Sequence, residues 1–181
     1  MATADDKIIL GSGKLYIDEF IGDVIPTDVL LEVPEKLLGL IEGGCSLEYK
    51  PKFVTVTDDL GLVSKTILTE EAVKLSSGIM TWNGQKLAKI CSTSSVEELA
   101  GKRTVTIGGL NNQNGKKYVI RFIHADPTDG DIRVTIVGCN QSGFKMAFVK
   151  DKATVVDAEF IAEPFDSTGA LILYSEDIPI V

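Results

Sequence analysis

From Leu47 to Ile79 the chain alternates apolar and polar residues in a run broken once, at Thr57-Asp58-Asp59-Leu60-Gly61. Period-two alternation on both sides of a polar, glycine-containing break describes two extended strands joined by a tip. Leu47, Tyr49, Phe53 and Thr55 fall on the first arm, and Val63, Ile67, Leu68 and Val73 on the second. Arms of roughly ten residues rising ~3.3 Å each reach ~30 Å, the width of a small domain, so the hairpin must project beyond its own core. A ribbon that long presents open hydrogen-bonding edges and an apolar face unless another molecule covers them. Assembly is therefore expected ahead of any chemistry. Pro51 has no amide hydrogen to give to a ladder, which places a bend or an edge there.

With 181 residues, 44% of them apolar and 24% charged, the chain can bury one core, and a single domain spanning 1–181 is expected. A formal charge of −8 argues against wrapping nucleic acid by phosphate neutralisation, while leaving room for repulsive, non-adhesive contact with DNA. Cys45, Cys91 and Cys139 are odd in number, far apart and without Cys-x-x-Cys spacing. They read as reduced core residues made in a cytoplasm, neither a disulfide framework nor a zinc site. Met1 to Asp6 lacks a basic segment followed by an apolar stretch, and no run approaches the ~18 apolar residues of a membrane span, so export and membrane insertion are not expected.

Along the chain, Lys14 to Phe20 reads as a strand, with Ile8-Ile9-Leu10 as a short one before it. Residues 22–39 carry Pro26, Pro34 and scattered charge without a period, which describes an irregular arm of the kind that lies across a neighbour in oligomers. Trp82 or Asn83 opens one helix, Gln85 to Ser92, with Leu87, Ile90 and Cys91 on one face. Ser95-Val96-Glu97-Glu98 has capping-box spacing and allows a further helical turn before Gly101. Beyond Lys102 the period becomes two. Strands are expected at 104–107, 117–123, 131–137, 143–149, 154–162 and 170–174, with Asn114-Gly115, Asp129-Gly130, Asp151-Lys152 and Ser167-Thr168-Gly169 at the reversals. The expected fold is mainly β: an antiparallel meander forming a β-sandwich or partly closed barrel, with one α-helix plugging a side or end and the long hairpin projecting.

Chemistry finds little footing. His124 is the single histidine and no Gly-x-Ser-x-Gly elbow exists, so a catalytic triad has no base beside a nucleophile. Asp126, Asp129 and Asp131 crowd one loop, but the spacing fails the calcium-loop template and a solvated turn is the better account. Gly11-Ser12-Gly13-Lys14 lacks the spacer and the following helix of a phosphate loop. Glu70, Glu71, Glu97, Glu98, Glu159 and Glu163 offer acidic pairs that the sequence cannot place in a cleft, and such pairs usually face solvent. Asn140-Gln141-Ser142 matches a glycosylation sequon by chance in a chain without a signal peptide. Trp82 reads as a core anchor, since 7% aromatics is too few for a stacking platform. No catalytic residue, metal ligand or cofactor is assigned.

Over nearly its whole length the chain resembles the major tail tube proteins of long-tailed bacteriophages and related phage-derived particles. The resemblance is carried by Gly39-Leu40-Ile41-Glu42-Gly43-Gly44-Cys45-Ser46-Leu47-Glu48-Tyr49-Lys50-Pro51, by the tip Asp58-Asp59-Leu60-Gly61, and by Asp157-Ala158-Glu159-Phe160 with Pro164 and Asp166-Ser167-Thr168-Gly169-Ala170-Leu171. Gly13-Lys14-Leu15-Tyr16 and the stretch from Ser77 to Gly84 look similar too.

The resemblance implies a non-enzymatic virion protein: a subunit of hexameric rings that stack by helical assembly into a tail tube. Sheets of neighbours would join into a continuous barrel around the channel used for DNA ejection. Partners would be the chain itself, a tape-measure protein, tail initiator and terminator proteins and, transiently, double-stranded DNA, with no membrane. The subunit would be made in the host bacterial cytoplasm and end in the virion. The long hairpin would reach the adjacent ring through Phe53 to Thr69, with Thr57, Asp58, Asp59, Leu60 and Gly61 as the inter-ring contact at its tip. Some family members carry an extra C-terminal immunoglobulin-like domain, for which a chain ending at Val181 leaves no room.

A lumen sharing the sign of the subunit charge would repel phosphates and let a duplex slide. Alternation makes Asp131, Asp157 and Glu159 the lumen-facing acidic candidates, each being the polar partner within its strand. The competing readings are a virion or cell-surface β-sandwich that binds carbohydrate or a receptor, and a hydrolase using two carboxylates. The first needs a concave aromatic patch and the second a nominated pair, and the sequence supplies neither.

Overall fold

Strand β1 (Lys14–Glu19) sorts the interior into two by alternation alone: Leu15 and Ile17 point into the main core and Tyr16 into a second cluster on the opposite face. The computed structural model describes residue 9 and residues 11–178. After β1 come a short helix α1 (Asp28–Leu31), a 3-10 turn (Pro34–Lys36) and the two arms β2 (Leu37–Thr57) and β3 (Ser64–Ile79). Helix α2 (Gly84–Lys89) precedes the hairpin β4 (Ser94–Leu99) and β5 (Lys102–Ile107), then a 3-10 turn (Leu110–Asn112). The remaining strands are β6 (Tyr118–His124), β7 (Ile132–Cys139), β8 (Phe144–Met146), β9 (Val156–Ala162) and β10 (Leu173–Glu176).

All pairings are antiparallel, and one eight-stranded sheet runs β10-β7-β6-β1-β2-β3-β9-β8. A second contact between β7 and β9, Gly138 with Ala162 and Cys139 with Ile161, brings the sheet round on itself. The mainly β, antiparallel and partly closed architecture matches the expectation from periodicity. Gly138 permits the closure, since a Cβ there would overlap the Ile161 carbonyl oxygen. Inside lies the main cluster, including Leu15, Ile17, Leu38, Leu75, Ile79, Ile120, Ile136, Val156 and Phe160. Leu87 and Ile90 of the α2 region close it on one side. The Asn83 side chain caps α2 by accepting from the Lys86 amide at 3.0 Å. Leu87, Ile90 and Cys91 are all buried, as their spacing requires. Trp82 packs against the same cluster and donates its indole hydrogen to the Thr154 carbonyl at 3.4 Å.

The order of strands is not a meander. β1, β2 and β3 insert between β6 and β9, and β4 and β5 form a two-stranded sheet of their own. The helical turn expected at Ser95–Glu98 is strand β4. A local capping signal loses there to cross-strand pairing, Val96 opposite Val105 and Glu98 opposite Arg103, closed by Ala100 and Gly101 at φ of 50° and 77°. Asn114-Gly115 lies ahead of β6 and joins no hairpin. Of the expected strand at Ile8-Ile9-Leu10, only Ile9 is described, exposed and outside any strand; the rest lies outside the described residues.

The arm at 22–39 departs most from its reading. Its middle forms α1, Leu31 is fully buried among Tyr16, Val119, Ile123 and Val137, and β2 has begun by Leu37. The reason is ionic as well as apolar. Arg121 of β6, with a side chain only 4% exposed, donates from one terminal nitrogen to Asp28 at 2.5 Å and Glu32 at 3.0 Å. Its Nε donates to the Thr135 hydroxyl at 2.9 Å. Arg133 joins by holding Glu32 and Asp177, each at 2.9 Å. A buried guanidinium needs such partners, and the arm provides them from within the same chain.

Candidate functional site: the hairpin and the acidic face

β2 and β3 pair from Ile41 with Ile79 out to Thr57 with Ser64. Val73, Leu75 and Ile79 are buried, whereas every residue of β3 from Ser64 to Ala72 and of β2 from Ser46 to Thr57 is exposed. Among the described residues, β3 beyond Lys74, where β9 stops pairing with it, has β2 as its sole neighbour, and β2 beyond Leu40 has β3 alone. Eight pairs from Lys50 with Ala72 outward, at ~3.4 Å each, project ~27 Å with both outer edges open. The projection agrees with the alternation.

Two irregularities shape this ribbon. Gly43 and Gly44, at φ of 78° and 82°, are two extra residues in β2 between the Glu42 and Cys45 pairs; an even insertion keeps side-chain facing unchanged. Ser77 supports the bulge by donating to the Gly44 carbonyl at 3.1 Å. Further out, next to Pro51, Lys52 opposes Glu70 while Phe53 opposes Leu68, leaving Thr69 as one extra residue in β3, its hydroxyl donating to the Lys52 carbonyl at 3.1 Å. An odd insertion reverses the facing of β3. Past it, Phe53 and Leu68 share one face and Val54, Val56 and Ile67 the other, all between 42% and 65% exposed.

The tip runs from Asp58 to Val63, so Val63 belongs to the turn and not to the second arm. Asp58 organises it: its carboxylate accepts from the Val63 amide at 2.6 Å and the Leu60 amide at 3.3 Å, and its carbonyl accepts from the Gly61 amide at 2.9 Å. These backbone donors hold the Asp58 carboxyl below the usual carboxylate range. Gly61 supplies a φ of 69°. Leu60, Leu62 and Val63 stand in solvent, 80%, 79% and 69% exposed, so the tip is apolar at its end despite Asp58 and Asp59.

The acidic candidates separate. Asp157 and Glu159 lie on one outward face of β9, beside Gly78 and Ser76 of β3, where a shallow groove also takes in Glu42, Ser46, Ser142 and Lys145. The Ser142 hydroxyl donates to Glu159 at 2.5 Å and Lys74 sits 3.0 Å away; together they hold the Glu159 carboxyl below its ordinary value. Asp131 is elsewhere, in the turn just before β7 and not within the strand, accepting from the Asp126 amide at 3.1 Å and facing Arg133 at 3.3 Å. It shares no face with the other two. Glu42, missed as a site residue, joins the groove; its signal was Ile41 inward and Glu42 outward just before a doubled glycine.

The remaining candidates are occupied structurally. His124 is buried with Nδ1 2.9 Å from the Ser12 carbonyl. The Asn140 side-chain amide is buried and donates to the Gly143 carbonyl at 2.7 Å. Asp126 accepts from the Thr128 and Asp129 amides at 2.8 and 3.1 Å. Glu70, Glu71, Glu98 and Glu163 each hold a cation or a hydroxyl: Lys52, Tyr49, Arg103 and Lys117. Burial pushes the Cys45 thiol up to about 12 and Cys91 to about 11, which favours the protonated thiol over the thiolate. No group of three or more His, Cys, Asp or Glu among the described residues is placed to hold a metal ion, and no described helix is long and apolar enough to cross a membrane. A scan against protein-family models and a search of curated proteins each find no match.

Proposed function

We propose that this chain is a structural subunit that polymerises with itself as stacked rings into a tail tube, a non-catalytic conduit through which DNA passes in a virion. The observation that carries this reading is the hairpin, whose exposed apolar pairs and two open edges have no use in an isolated molecule. The resemblance drawn on Gly39 to Pro51, the tip and Asp157 to Leu171 supplies the hexameric ring, the tape-measure protein and the initiator and terminator as partners. Lateral joining fits the free outer edges of β8 and of β2 beyond Ile41, which lie on opposite sides of the β2-β3-β9-β8 layer. That layer's outward face carries Glu42, Asp157 and Glu159, and turned toward a lumen it would discourage adhesion of phosphates.

Negative-stain electron microscopy of the concentrated protein, alone and with an assembly initiator, tests the reading. Hollow tubes with a regular axial repeat are the expected result. Particles that stay monomeric or trimeric under both conditions would overturn it.

A further inference from the structure

Three glycines follow a side chain whose carbonyl carbon is one ring closure away from the glycine nitrogen: Gly84 after Asn83, Gly115 after Asn114 and Gly130 after Asp129. Glycine leaves that nitrogen unshielded and adopts whatever dihedral the closure needs, unless the fold prevents it. The fold treats the three pairs differently. The Gly130 amide donates to the Asp126 carbonyl at 2.9 Å, and the Asp177 backbone closes over its α-carbon. Asn83 is locked as the cap of α2, its side-chain oxygen accepting from the Lys86 amide at 3.0 Å and its carbonyl from the Leu87 amide at 2.8 Å. Val105 and Arg103 pack against Gly84. Gly115 has no such restraint. It is exposed, outside every helix and strand, at a φ of 63°, and nothing beyond its chain neighbours lies within 4 Å of where a Cβ would stand. Its amide donates to no group among the described residues. The Asn114 side-chain oxygen accepts from the Lys116 amide at 3.0 Å, which folds the carboxamide back over the intervening Gly115 peptide.

We infer that Asn114 is a site of spontaneous covalent modification in the folded protein, the one pair of the three that the structure leaves reactive. The Gly115 nitrogen gives its proton to solvent base and attacks the Asn114 side-chain carbonyl carbon. The new C–N bond closes a five-membered succinimide, and the amide nitrogen takes a proton from water and leaves as ammonia. Water then adds to one of the two imide carbonyls and opens the ring, to aspartate or to isoaspartate. Either product adds one negative charge to a chain already at −8, beside Lys116 and Lys117 in a hollow that Glu163 also lines. Isoaspartate also inserts one carbon into the main chain between the Asn114 amide, tied to the Ser92 carbonyl at 3.0 Å, and the start of β6. The subunit thus carries a mark of its age. This chemistry is intrinsic to the folded chain and does not depend on the tube reading.

The test incubates wild-type protein in warm, mildly alkaline buffer, folded and, in parallel, unfolded in guanidinium chloride. Peptide mapping by mass spectrometry follows each amide, and labelling by an isoaspartate methyltransferase follows the rearranged product. In denaturant the two Asn-Gly pairs are expected to convert at similar rates. In the folded protein Asn114 should convert at least about tenfold faster than Asn83, whose reaction must wait for α2 to open. Asn114→Gln should abolish the labelling of folded protein. Equal conversion at both sites in the folded protein, the same preference for Asn114 in denaturant, or labelling that survives Asn114→Gln would each overturn the inference. The wild-type peptide map decides the matter by itself should that variant not fold.

Discussion

Arg121 and Asp28, 93 residues apart in the chain, meet at 2.5 Å and fasten α1 across the outer side of β6. Around that contact Glu32 and Thr135 satisfy the rest of a guanidinium that is otherwise out of water. Removing it should both unpin the arm and leave Glu32 half-buried without one of its cations. Arg121→Ala is expected to lower unfolding stability by about 3 kcal/mol, as for a broken buried pair, measured by urea denaturation. Hydrogen exchange at residues 26–36 should accelerate more than elsewhere. The same clamp sets the expectation for wild-type monomer: slow exchange in this arm, fast exchange at 53–68, with the hairpin gaining protection on assembly.

Replacing Phe53 through Thr69 by an Asn-Gly turn removes no buried residue. The shortened subunit is expected to fold, with a thermal midpoint within about 4 °C of wild type, the shift that ~1 kcal/mol produces in a chain this size. It should not stack. Calorimetry and electron microscopy on the same sample separate the two outcomes, and tubes built from it would sink the assembly role of the hairpin.

The tip should respond to acid. Because backbone amides depress the Asp58 carboxyl in the folded state, its contribution is present above the unfolded carboxylate pKa and is lost as pH falls through the folded value. The window therefore lies below about pH 4. Exchange of the Leu60 and Val63 amides, read by NMR, should rise relative to the rest of the hairpin on going to pH 3, and Asp58→Ala should show the same loosening at neutral pH.

Reversing the sign of the groove tests the conduit. Asp157→Lys and Glu159→Lys, combined, should still permit tubes, since neither side chain is buried, yet the tubes should retain double-stranded DNA with an affinity that falls steeply with salt. A filter-binding series across ionic strength checks this. Wild-type tubes should retain none, and variant tubes indifferent to DNA would argue that the face points outward.

What the sequence disclosed, and what it withheld, follows from the range of each signal. The hairpin was legible because alternation is a property of neighbours along the chain, and Asn83 because a cap acts over three residues. Facing in the outer hairpin was not, since it turns on the unpaired Thr69, which can be seen only when Phe53 is set against Leu68. Nothing in the sequence sets Arg121 and Arg133 apart, because their partners Asp28, Glu32 and Asp177 are brought near by topology. For the same reason Asp131, a polar partner in an alternating segment like the other candidates, sits with the arginines, while Glu42 reaches the groove by way of a two-glycine bulge.

β2 is a single strand from Leu37 to Thr57, with its first residues in the core between β1 and β3 and its last in the projecting arm. Tension between copies would thus enter the body along a strand axis. Pulled that way, the ladder bonds to β1 and β3 are loaded in shear, many at once, and none can open first like the end of a zipper. The joint resists extension as a lap seam does, by overlap length: the pairs of β2 with β1 from Leu37 to Leu40 and of β3 with β9 from Lys74 to Ile79.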